Sequence, residues 1–156
     1  MPASTPVRDV MTKNVVTLQP DQTFEAAADL LAKKGIGAAP VVDGDRVVGV
    51  LRDEDLIVSE ANLHVPTWFN FGLGVEFPLP GQAKRFEGEL KRMVAATVRE
   101  LMTTKFESCA PDDTLGDVAA KMHDRDVTHM PVIDTDHHLV GIIARGDLVR
   151  RVAAET

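Results

Sequence analysis

The sequence predicts an α/β protein made of two copies of one strand-helix-strand-strand-helix unit, packed together about a pseudo-twofold axis. Three observations carry this expectation: an internal repeat, a change between helical and strand-like apolar periodicity inside each copy, and turn or capping residues at the junctions. The repeat is direct. "VRDVMT" (7–12) realigns on "VRELMT" (98–103), "PDQTFEAAADLL" (20–31) on "PDDTLGDVAAKM" (111–122), and "APVVDGD" (39–45) on "MPVIDTD" (130–136). One extra residue in the second copy then brings "VVGVLRDEDL" onto "LVGIIARGDL".

Each element follows in chain order. "NVVTL" and "FESCA" are short strand-like runs, each followed by Pro-Asp and a Thr suited to cap a helix. In the helices that follow, Phe24, Ala27, Ala28 and Leu31 stand at i, i+3, i+4 and i+7, and Leu115, Val118, Ala119 and Met122 repeat the stripe. One face of each helix is therefore expected to be buried. "APVV" with "RVVGVL", and "MPVI" with "HLVGII", are continuous apolar runs of strands covered on both faces. "DGD" between the first two is a strong hairpin signal, and "DTDHH" between the second two a looser one. A last helix starts near Arg52 or Arg145, with Asp55 and Asp147 in its first turn, where the helix dipole favours a carboxylate. A single unit with three short strands is marginal alone, so the two copies should share one body.

The boundaries read from the repeat are 1–60 for the first copy, 61–97 for an insert and 98–156 for the second copy. The insert has no counterpart. Its "LHVPTWFNFGLGVEFPLPG" holds the one Trp of the chain among Phe, Gly and Pro, and it is expected to be ordered. Phe86, Leu90, Met93, Val94 and Thr97 then form an apolar stripe expected on an amphipathic helix. This segment is expected to cover an edge or a dimer seam, with docking of a partner protein as the alternative.

Composition excludes several function classes. A net charge of −7 over 156 residues lacks the basic footprint of a nucleic-acid-binding domain. No apolar run approaches the roughly 18 residues of a membrane span, and "MPASTPVRDVMT" lacks the apolar stretch of a secretory signal. A cytoplasmic location is therefore expected, which suits a chain whose Cys109 has no second cysteine for a disulfide. His123, His129, His137 and His138 are clustered, but without a helical i,i+4 pair or an accompanying Cys, so no metal is expected. No Gly-rich phosphate loop, nucleophile-base order or paired catalytic carboxylates appear, so no enzyme is expected.

The "VMT" and "LMT" openings, the "APVVD" and "MPVID" strands and the two glycine-to-Asp-Leu endings together resemble the tandem cystathionine beta-synthase (CBS) domain pair, or Bateman module. By the same resemblance, the long insert is similar to those of some small stand-alone bacterial members of that family. The resemblance implies a regulatory module that binds adenosine-containing ligands (AMP, ADP, ATP or S-adenosylmethionine type) in clefts between the repeats. No cofactor is required. It also implies a homodimer, with output through dimer geometry or an effector protein. The alternative is an interaction module with vestigial pockets that docks through the aromatic insert.

By the same resemblance, Asp55 and Asp147 accept both ribose hydroxyls, a role suited to a carboxylate, which when ionised only accepts. Gly37, Ala38 and Ala39 in one copy, and Thr128, His129 and Met130 in the other, line the base pocket through backbone and small side chains. Val50 and Ile142 press on the base, opposed by Val16 and Thr17 or by Glu107 and Ser108. The chain departs from the family pattern where a Ser or Thr often stands three residues before the Asp, since here Arg52 and Ala144 occupy those positions. Arg52 and Arg145 could hold phosphate; equally, Arg52 could pair with Asp53 or Asp55 and close its pocket.

Overall fold

The computed structural model describes residues 2–56 and 96–154 of the chain. Its elements are α1 (Phe24–Lys34), β1 (Ala38–Asp43), β2 (Arg46–Arg52), α2 (Val98–Leu101), α3 (Leu115–Arg125), β3 (His129–Ile133), β4 (Leu139–Ala144) and α4 (Arg145–Ala154). Residues 53–56 form a helical turn, and short 3-10 turns lie at Pro2–Ser4 and Val7–Asp9. Nearly all of the aromatic insert, and with it the expected amphipathic stripe, lies outside the described residues. Thr97, placed on that stripe, is instead extended and precedes α2, and its N–H donates to Glu100 at 3.3 Å.

The capping threonines act as expected. Thr23 accepts the N–H of Ala26, and Thr114 that of Asp117, both at 3.2 Å, which starts α1 and α3. Phe24, Ala27 and Leu31 are buried on α1, as are Leu115, Val118 and Met122 on α3. Ala28 is half-buried and Ala119 exposed, so the second stripe is narrower than its periodicity suggests. Both helices end in a left-handed residue, Gly35 at φ 61° and Asp126 at φ 51°, which turns the chain into the following strand.

β1 and β2 pair antiparallel, as do β3 and β4, with register shifts at Val41/Val42 and at Val132/Ile133. "NVVTL" and "FESCA" contribute less than full strands: Leu18 makes a parallel bridge to Val41 and Cys109 one to Val132. Pro40 and Pro131, which have no N–H, face these segments with their carbonyls, accepting from Leu18 at 2.9 Å and from Cys109 at 3.1 Å.

The other edge of each hairpin is closed by the opposite repeat. Thr12 exchanges two backbone hydrogen bonds with Ile142 of β4, at 2.9 and 3.0 Å, and Thr103 exchanges two with Val50 of β2, at 2.9 and 3.0 Å. The exchange extends into the cores. Val98, Leu101 and Met102 pack into the core around Leu18, Phe24, Leu31 and Leu51, while Val7, Val10 and Met11 pack into the one around Leu115, Met122, Met130 and Ile143. Each repeat therefore lends its opening segment to the core of the other. The glycines that begin the "GVL" and "GII" runs make room for it: a Cβ on Gly49 would fall 2.5 Å from Met102 Sδ, and one on Gly141 2.5 Å from Met11 Sδ.

Candidate functional site

A cavity of about 300 Å³ lies between the two repeats, at the small end of the roughly 300–1,000 Å³ usual for small-molecule sites. From the first repeat it takes Val16 from the extended opening run and Gly37 and Ala38 from the entry to β1. The left-handed Gly35 places the latter two. From the second repeat come Ile142 and Ala144 of β4 and Asp147 and Arg150 of α4. Because β4 runs into α4 without a loop, Asp147 is delivered in the first turn of the helix, beside the cavity. Its Oδ2 accepts the Ala144 N–H at 2.7 Å and its Oδ1 faces Arg150 Nη2. The site thus offers apolar walls, a backbone approach at Gly37 and one carboxylate at the rim.

The remaining expected site residues fall elsewhere or on the pseudo-symmetric side. Asp55 accepts the Arg52 N–H at 2.9 Å, repeating the Asp147 arrangement. Arg52 is turned onto acidic neighbours, with Nη1 2.6 Å from Glu54 and Nη2 3.3 Å from Asp55. Asp53, the other partner considered for it, instead accepts the Glu54 N–H at 2.7 Å. Val50 is buried beside Thr103. Glu107 is 3.8 Å from Arg125, and the Ser108 carbonyl accepts from Lys121 Nζ at 3.0 Å. The Thr128 carbonyl accepts the N–H of Arg145, whose side chain is exposed. Ala39 and Met130 are fully buried in the two cores, so their side chains do not line the cavity. Thr17 turns to a separate depression of about 400 Å³ with Asp21, Asp43 and Arg99.

His129 also lines the Asp147 cleft, across from Gly37 of the first repeat. Its Nδ1 lies 2.9 Å from Thr128 Oγ1. Burial pushes its pKa below the ordinary histidine value; Asp53 and Asp147 oppose this, and Arg52 adds to it. His138 lies beside Asp134 and Asp136, but Asp134 Oδ1 is already used by the N–H groups of both, each at 2.9 Å. Those bonds, that from His138 foremost, hold the Asp134 carboxyl below its usual range. The Cys109 thiol is pushed up to about 11, first by burial and then by Asp113, against the pull of Lys121, which leaves it a packing residue rather than a nucleophile.

Thr12, Asn14, Ile36 and Arg150 also line the cavity and were not foreseen. Arg150, three residues after Asp147 on a helix, was open to an i,i+3 reading. Thr12 was not, because its place depends on the exchange of opening segments.

Among described residues no helix is long and apolar enough to cross a membrane. The uncharacterised protein MJ1426 of Methanocaldococcus jannaschii is 30% identical over 152 residues, covering 92% of this chain and 88% of its own. The CBS domain-containing protein YhcV of Bacillus subtilis is 30% identical over 142 residues, covering 91% and 81%. Among solved structures, CBSX2 of Arabidopsis thaliana in complex with AMP aligns with a TM-score of 0.72 at 25% identity, over 96% of this chain and 97% of that one. The CBS domain model matches residues 7–61 and 98–154, the two copies of the repeat. The chain therefore belongs to the CBS domain family and carries its domain twice, as a CBS pair.

Proposed function

We propose that the chain is a non-catalytic regulatory module that binds an adenosine-containing ligand, of the AMP, ADP, ATP or S-adenosylmethionine type, between its repeats. The observation that carries this reading is the convergence of Val16, Gly37 and Ala38 with Ile142 and Asp147 on one cavity. A planar base fits between the aliphatic walls and against the Gly37 backbone. Asp147 Oδ2 caps its helix, so Oδ1 is the oxygen that accepts from the ribose diol once Arg150 swings aside. The AMP complex of the similar CBSX2 supports the choice of ligand class. Output passes through a homodimer or an effector protein. Val149 and Val152, 62% and 58% exposed on α4, support docking of a second copy near the helix that carries Asp147.

Melting curves and calorimetric titration with AMP, ADP, ATP and S-adenosylmethionine test this. A ligand at a hundred times its Kd should stabilise the fold by about 2.7 kcal/mol. A charge-assisted hydrogen bond is worth about 1.5–3 kcal/mol, so Asp147→Ala should weaken binding roughly tenfold to a hundredfold. No response to any of the four refutes the adenosyl reading, whereas unchanged affinity in Asp147→Ala refutes the site.

A further inference from the structure

We infer that the chain takes one anionic adenosyl ligand, at Asp147, because its own Arg52 guanidinium fills the pseudo-symmetric position at Asp55. The inference rests on the adenosyl-binding reading and adds its stoichiometry and charge preference.

The two helix starts are geometrically alike. Asp55 and Asp147 each cap the backbone N–H three residues earlier, at 2.9 and 2.7 Å, and each leaves Oδ1 for another donor. What differs is the residue at that capped position. Ala144, small, lines the open cavity. Arg52 instead brings a long side chain back over its own helix start, bound to Glu54 and Asp55 together, and its Nε is buried without a hydrogen-bond partner among the described residues. Burying that N–H is unfavourable, and the two carboxylates on the guanidinium offset the cost. The arginine over Asp147 is held differently. Arg150 is 75% exposed, against 30% for Arg52, and among the described residues Asp147 is the one carboxylate it pairs with. Asp147 itself is only 11% exposed, so what a ligand has to displace is a solvated guanidinium and not a buried pair.

Charge points the same way. The first repeat places Arg52 among Asp53, Glu54 and Asp55, an acidic balance that repels a phosphate carrying roughly −1.5 to −2. In the second repeat the aligned residues are Ala144, Arg145, Gly146 and Asp147, with Arg150 one turn on. Arg145 and Arg150 against Asp147 make this end of the cleft basic, although Asp53 of the first repeat reaches the same cleft beside Gly37. Arg150 is placed to let go of Asp147 and take a phosphate while the carboxylate takes the ribose.

Calorimetric titration of the full chain with AMP and with adenosine decides the matter. Expected are one AMP per chain, loss of that site in Asp147→Ala, and adenosine binding weaker than AMP by roughly tenfold or more. Arg52→Ala on the Asp147→Ala background should restore one site per chain, now at Asp55. Two AMP per wild-type chain, or one that survives Asp147→Ala unchanged, overturns the single-site assignment. Equal affinity for adenosine overturns the charge preference, and a cooperatively melting double variant that gains no site overturns the blocking role of Arg52. Should that variant fail to fold, the wild-type stoichiometry still decides. Absence of AMP and S-adenosylmethionine binding in both wild type and Arg52→Ala is a different failure, that of the adenosyl reading itself.

Discussion

His129 shows how one residue ties stability to the cleft. Burial keeps its pKa below the ordinary value, so the unfolded chain binds this proton more readily than the folded one. The corresponding stability is present above the unfolded pKa of about 6.5 and is lost as pH falls through the lower folded value. The melting temperature should therefore drop as pH is lowered from about 7 towards 5, and His129→Gln should flatten that part of the profile. An unchanged slope in the variant would remove His129 as the source. The clustering of histidines was legible in the sequence, but not that this one faces Gly37 across the cleft. Its position depends on the partner repeat.

At the scale of elements, periodicity, caps and turns were readable because they are local. A threonine before an apolar stripe, a Gly-containing hairpin and a glycine after a basic helix end act through near neighbours. The two helix exits make this testable, since Gly35 and Asp126 perform the same left-handed turn. Gly35→Ala should cost about 1–2 kcal/mol in chemical denaturation. Asp126→Gly should cost nothing or stabilise, and a large loss there would mean that the Asp126 side chain has a structural role of its own. Local reading failed where several elements meet. "NVVTL" and "FESCA" have strand composition but reduce to single bridges, because Pro40 and Pro131 in the neighbouring strands offer no N–H to extend the ladder.

For the whole molecule, the exchange of opening segments makes the two repeats one cooperative body. Val7 is fully buried, yet the core it fills belongs to the second repeat. Val7→Ala should therefore cost up to about 1.5–3 kcal/mol and speed hydrogen exchange in β3 and β4 more than in β1 and β2. Faster exchange confined to the first repeat would contradict the crossed packing. The sequence by itself determined that there are two repeats, the family they belong to, the helices with their caps, and the paired aspartates at the helix starts, all of them properties of neighbours in the chain. Only the tertiary structure decided that each core is completed by the opposite copy, that the cavity joins first-repeat walls to a second-repeat carboxylate, and that Arg52 lies on Glu54 and Asp55. The physical reason is that an apolar pattern tells which face is buried without telling what covers it, and a charged side chain has several partners within reach until packing leaves it one arrangement.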